Sequence, residues 1–246
     1  MLTAWKVAVE RYSGFRIDLR KTNLQNANLR SAKLSGALLN GARLESANLI
    51  DARLEGADLG QARMENAVFW GAHLEGANLS NSQLEGAHLS HAWLQGAGLG
   101  NAKMERANLM AAHLEGASLD SAKLDGAVIS LANLDIAGFT NASLVWADLS
   151  SARVSASTNF NETIFSGASL ISVDLSEARI SQAQINCAFG DASTTLSPQS
   201  DRPTRWPNWI LEAGFPSQFT EWSRWRDDPS AYTPPPTPTP PPPPTP

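Results

Sequence analysis

The residues able to carry chemistry in this chain are few and widely set. There are four histidines, His73, His88, His91 and His113, and one cysteine, Cys187. A base or histidine is followed two residues later by an acid again and again: Arg43-Leu44-Glu45, Arg53-Leu54-Glu55, Arg63-Met64-Glu65, His73-Leu74-Glu75, Lys103-Met104-Glu105, His113-Leu114-Glu115 and Lys123-Leu124-Asp125. Trp70 and Trp93 stand among them. Such side chains can bind metal, move protons or grip a partner's surface. Their spacing supports only the last. No Cys/His set has metal-ligand spacing, no Gly-rich loop follows a strand to cradle phosphate, and no Ser-His-Asp constellation can be assembled. The chain is expected not to be an enzyme and to use no cofactor and no metal.

The element that positions these residues is a five-residue period. From Asn23 to Arg153 almost every fifth residue is Leu, and the residue two before it is Ala. Departures at the Leu position are Met64, Phe69, Met104, Ile129, Phe139 and Val154, all apolar, and Ser82 is the exception at the Ala position. Five fits neither the 3.6 period of a helix nor the 2.0 of a strand. It fits a short extended segment plus a turn, in which Ala and Leu point one way and the residue between them points out. Gly56, Gly76, Gly86, Gly96, Gly116 and Gly126 close such units, where a corner can require positive φ. A chain that turns at every fifth residue coils, and stacked coils bury a continuous Leu column.

The tandem Ala-(Asn/Asp)-Leu-x-x pattern resembles the pentapeptide-repeat family over roughly residues 17–187. The resemblance implies an all-β fold, a right-handed quadrilateral β-helix with four units per coil, a filled interior and short capping segments. Roughly eight and a half coils at about 4.8 Å each make a rod near 40 Å long. The family supplies scaffolds and binding rods with many partners, so fold alone names no partner.

The ends are different material. In residues 1–16, Trp5, Val9 and Tyr12 have helical spacing, and a short helix is expected to cap the first coil. At Val154–Phe160 the beat slips by one residue; a one-residue bulge and a functional loop both fit. Residues 188–230 are rich in aromatics: Trp206, Trp209, Phe215, Phe219, Trp222 and Trp225. Ser217 is placed to cap a helix through Arg226. This segment is read as a C-terminal cap or, through 202–228, as a homodimer contact. The final stretch, 231–246, is a Pro/Thr tail with polyproline II character, a disordered stiff linker or a ligand for an SH3-type domain. Residues 1–10 lack the apolar core of a signal peptide, no stretch is long enough for a membrane span, and one cysteine allows no internal disulfide; a cytoplasmic chain without membrane contact is expected.

Charge bears on one activity the resemblance brings. Some members of the family resemble duplex DNA and protect DNA gyrase from quinolones. A DNA mimic needs acids unbalanced by bases. Residues 19–154 hold thirteen acids and eleven bases, with Arg20, Lys21, Arg30, Lys33 and Arg43 at one end and an acidic waist of Glu65, Glu75 and Glu85. With ten-residue alternation and twenty residues per coil, base and acid columns should run side by side on two opposite faces. Direct binding to nucleic acid is not expected, and a gyrase-directed mimic is the alternative reading.

Folding the sequence at twenty residues per coil gathers one patch. Trp70 falls above Ile50 and below Ser90 and Met110; around the next corner His73, Trp93 and His113 stack, with His91 on the corner and Leu131 two coils above it. Zinc is not implied, because His73 and His113 are then about 10 Å apart and ligands must converge at about 2 Å. A contiguous apolar patch marks an interface. Ile50, Trp70, His73, His91, Trp93, Met110 and His113 are therefore the candidate partner-binding residues of a non-catalytic protein-interaction rod.

Overall fold

The computed structural model describes residues 16–207, 217–228 and 231–233. Apart from Arg16, the expected N-terminal helix lies outside the described residues, as does the Pro/Thr tail from 234 onward. The chain is a solenoid. Every five residues one residue makes a parallel β-bridge to the residue twenty further on, from Asp18↔Leu38 to Asn133↔Arg153. Twenty residues with a bridge at every fifth give a coil of four sides. The strand character is thinner than an all-β reading suggests: each side pairs through a single bridge rather than a continuous ladder, because two of its five residues turn the corner.

The hydrogen bonds of one unit explain its sequence. Leu49 N–H donates to Val68 O at 2.7 Å and Asp51 N–H to Trp70 O at 3.0 Å in the coil above, while Asn48 N–H donates to Ala27 O at 2.9 Å in the coil below. Ala52 N–H closes the corner onto Leu49 O at 3.0 Å. That leaves Ile50 N–H, which a buried corner cannot leave orphaned. The Asn48 side chain accepts it at 3.1 Å. Asp58 does the same for Gly60, Asn78 for Ser80, Asn108 for Met110 and Asp148 for Ser150, at 2.9–3.1 Å. This is why Asn or Asp sits between Ala and Leu. Units with a base there place an acid two residues on, and the main-chain N–H of Glu45 and of Glu55 contributes to holding its own carboxyl below the ordinary value.

The Ala and Leu positions are fully buried from Ala37 to Leu149. Leu29 and Leu34 in the opening coils retain 8% and 5% exposure, the mark of an end rather than a middle. The last residue of nearly every unit has φ near +60°, including Asn66, His91, Leu131 and Ile136.

The slip is a one-residue insertion in a corner. Beyond it the bridges join residues twenty-one apart, Gly138↔Asn159, Ser143↔Ile164 and Asp148↔Ser169. Thr158 takes the Ala position and donates its hydroxyl to Leu134 O at 2.8 Å while accepting Ser155 N–H at 3.1 Å. The same device recurs at Asp191–Thr194, where Thr194 donates to Leu170 O at 2.9 Å and accepts Asp191 N–H at 3.2 Å. The solenoid thus runs past its expected end at 187: Ser169 bridges Phe189 and Asp174 bridges Thr195. It is interrupted once, by helix α1 (Gln182–Asn186). There Gln184 accepts Ser181 N–H at 2.8 Å and donates to Phe160 O and Thr163 O at 2.8 and 2.9 Å. One side chain replaces the main-chain donors that a regular side would have offered.

Helix α2 (Ser217–Asp227) folds back against the upper coils. Ser217 is its first residue rather than the residue before it. Trp222 and Trp225 pack with Ile171, Phe189 and Tyr232, and Trp206 joins the main core beside Ala188. Their indoles are anchored: Trp206 Nε1 donates to Ala188 O at 2.8 Å and Trp222 Nε1 to Gly167 O at 2.9 Å. Gly167 has φ +76°, and a Cβ there would stand 1.9 Å from the Trp146 ring, so only glycine fits. Trp206, Trp222 and Trp225 are buried in their own chain, while Trp209 and Phe215 of the same segment lie outside the described residues.

Candidate functional site

One column of outward residues runs Lys33, Arg53, His73, Trp93, His113, Asn133 and Arg153, each bridged to the next. Parallel bridging holds equivalent side chains about one coil apart, so rings in successive coils stack. His73 and Trp93 are parallel to 4° with centroids 5.8 Å apart; Trp93 and His113 are parallel to 7° at 4.2 Å. The acid two residues on holds each imidazole by its edge, Glu75 at 3.0 Å from His73 Nδ1 and Glu115 at 3.4 Å from His113 Nδ1. A carboxylate only accepts, so Nδ1 carries the proton in both rings.

Around the corner, Trp70 meets His91 edge-on, with centroids 5.9 Å apart and planes at 63°. Trp70 is 49% exposed, Met110 is exposed in the same column, Ile50 is half-buried, and Ser90 between Trp70 and Met110 is buried. All seven candidate residues therefore lie along one corner and its adjoining face. The face continues to two further residues. Leu131 and Ile136, on the corners flanking Asn133, are 61% and 66% exposed. Both have φ near +62°, a conformation that disfavours β-branched side chains most. Counting by twenty places Leu131 above His91 but does not gather Ile136 into the patch. The signal was present, since an apolar residue replaces Gly, Asn or Ser at a corner.

The three acids of the waist do not gather. Glu65 and Glu85 lie two residues after Arg63 and Gln83, which bridge each other, whereas Glu75 belongs to the His73 column on the opposite face. Glu65 lies 3.4 Å from Arg63 and Glu75 pairs with His73. In the opening coils bases meet acids on both faces: Arg43 and Arg63 both reach Glu45, at 3.3 and 3.2 Å, and Arg53 reaches Glu55 at 2.8 Å. Burial works against ionisation of Glu45, but its own amide, Arg43 and Arg63 outweigh it and hold the carboxyl below its ordinary value. Glu55 is lowered in the same way, against burial, by Ser35, its own amide and Arg53. Among the described residues no three His, Cys, Asp or Glu side chains gather where a metal ion could be held. No described helix is long and apolar enough to cross a membrane.

The chain is similar to HetL, a pentapeptide repeat protein involved in heterocyst differentiation regulation from the cyanobacterium Nostoc sp. strain PCC 7120: 24% identity, 82% of this chain and 93% of that one covered, TM-score 0.44. It is similar to trypsin-treated QnrB1, a plasmid-mediated fluoroquinolone resistance protein, at 19% identity over 68% and 83% of the two chains with a TM-score of 0.47. A pentapeptide repeat protein from the Arabidopsis thaliana thylakoid lumen is 24% identical over 54% of this chain and 87% of its own, TM-score 0.33. No curated protein matches the chain. The sequence profile of pentapeptide repeats matches eight copies, over residues 22–61, 62–101, 94–130 and 156–186. With more than half its length matched in that way, the chain belongs to the pentapeptide-repeat family.

Proposed function

We propose that this protein is a non-catalytic rod that binds a protein partner through the face carrying Trp70, His91, Trp93, Met110, Leu131 and Ile136. The observation that carries the proposal is the placement of Leu131 and Ile136. Two large apolar side chains stand more than half exposed, at corners where positive φ disfavours them, on the face that carries Trp93 two coils below. Strain and apolar exposure on one face, with no gain to the core, favour a binding role. A reducing, cytoplasmic setting belongs to the same proposal and is supported by Cys187, exposed and free.

The competing reading is a gyrase-directed DNA mimic. Its support is weaker, because Arg43, Arg53 and Arg63 stand within ion-pair distance of Glu45, Glu55 and Glu65. Supercoiling by gyrase in the presence of a fluoroquinolone separates the two: the rod should leave inhibition unchanged. The direct test is capture from native lysate by wild type and by a Trp70→Ala/Trp93→Ala chain. Loss of a specific band in the double variant, with an unchanged melting curve, is expected. An identical set of bands from both chains overturns the proposal.

A further inference from the structure

The aromatic face has a period, and so does another part of this chain. Polyproline II advances about 3.1 Å per residue, so every third residue returns to the same side after about 9.3 Å. Two coils of the solenoid span about 9.6 Å. His73, Trp93 and His113 occupy such a two-coil span, with centroid steps of 5.8 and 4.2 Å. Trp93 and His113 at 4.2 Å cover each other, whereas the near-parallel His73 and Trp93 rings, 5.8 Å apart, are offset rather than eclipsed, which leaves part of those two faces uncovered. Proline rings pack against such faces, and polyproline II carbonyls, having no internal hydrogen bonds, are free to accept from indole N–H groups. Among the described residues the Nε1–H groups of Trp70 and Trp93 have no partner, unlike those of Trp206 and Trp222.

We propose that this face takes a polyproline II segment, and that its occupant is the chain's own tail, residues 234–246, bound in cis. Those thirteen residues are only Pro and Thr. They bring no charge to meet the Glu75 and Glu115 carboxylates beside the rings. The tail leaves from Thr233, directly after Tyr232, whose ring packs on Phe189 with centroids 5.7 Å apart and whose hydroxyl donates to Glu221 at 3.2 Å. From Phe189 the bridges step down through Ser169, Asp148, Val128 and Asn108 to His88, in the coil of Trp93. Five steps of about 4.8 Å are about 24 Å. Thirteen residues of polyproline II reach about 40 Å, enough to descend and cross one corner. The proposal rests on the reading of this face as a binding surface and adds a consequence: the tail masks it and competes with the partner.

Hydroxyl-radical footprinting of the full-length chain tests this, with oxidation of each tryptophan read by mass spectrometry. The comparison chain keeps its length but carries Ser at Pro240, Pro241, Pro242, Pro243 and Pro244. At an effective concentration on the order of 1 mM, a tail with a Kd of about 0.1 mM is bound nine-tenths of the time, so oxidation of Trp70 and Trp93 should rise up to about tenfold in the substituted chain. Trp206 and Trp222 serve as internal references and should not change. Equal rates at Trp70 and Trp93 in the two chains overturn the proposal. Protection that grows with protein concentration overturns binding in cis and assigns the tail to a second copy. The broader reading of the face fails separately, when Trp93→Ala leaves partner capture by the tail-substituted chain unaltered.

Discussion

The protein uses tryptophan in two opposite ways. In the upper coils Trp206, Trp222 and Trp225 are buried, and Trp206 and Trp222 are tied by Nε1 to main-chain carbonyls. In the middle of the rod Trp70 and Trp93 point outward and meet rings of neighbouring coils. The residue type is the same in both regions, although aromatics are denser in 202–232 than in the middle of the rod. What differs is the place in the repeat: a residue between Ala and Leu, or at a corner, cannot turn inward, whereas a residue beyond the repeat is free to find an apolar seat. Position in the unit therefore separates an anchor from a contact surface better than residue type does.

Both regions rest on the same apolar column, and the largest effect comes from breaking that. Leu79→Asp puts a carboxylate where exposure is zero and should cost more than about 4 kcal/mol. Both regions should then be lost together in circular dichroism and thermal melting, and a native melting curve would contradict the packing. Trp222→Ala should cost about 3–5 kcal/mol, but locally. In a solenoid each coil depends on its neighbours, so faster hydrogen exchange should be confined to α2 and the coils above residue 146, leaving the Trp93 coil protected. Trp93→Ala belongs to the other side of the comparison. It should change stability by less than about 0.5 kcal/mol and weaken partner association by about 2 kcal/mol, or thirtyfold. An equal loss of stability in the Trp93 and Trp222 variants would erase the distinction.

The smallest expected effect concerns the charged columns. Glu45 and Glu55 have folded pKa values below their ordinary 4.5. Above that value both states are ionised and the stabilisation is complete; it is lost as pH falls through the lower, folded values. The melting temperature should stay level from pH 7 to about 5 and drop below about 4.5, and Glu45→Gln with Glu55→Gln should flatten that acid limb. Exposed Arg–Glu pairs contribute little, so the neutral-pH change should be under about 1 kcal/mol.

Much of this was legible because the repeat makes geometry a matter of counting. A residue twenty positions on is the neighbour above, so the His73–Trp93–His113 stack can be written from the sequence. The count fails where chemistry outside the repeat intervenes. Thr158 and Thr194 absorb insertions by hydrogen bonds to Leu134 and Leu170, and Gln184 stands in for a missing side of a coil. No periodicity announces those contacts. The seat of Trp222 on Gly167, fifty-five residues away, depends on α2 returning along the rod, which the segment's composition alone does not specify. Ile136 escapes the count for a different reason: its corner lies at the far edge of the same side, away from the Trp70 column.

The side-chain acceptor in the Asn and Asp units has a chemical consequence. Asn48, Asn78 and Asn108 hold a corner amide through Oδ1, and Asp58 and Asp148 hold theirs in the same way. Direct hydrolysis of such an amide to aspartate removes the nitrogen and keeps that oxygen, so at Asn48 or Asn108 it adds one negative charge and leaves the corner acceptor in place. At Asn78 the nitrogen also donates to Asp58 Oδ1 at 2.9 Å, and there the same change sets two carboxylates against each other.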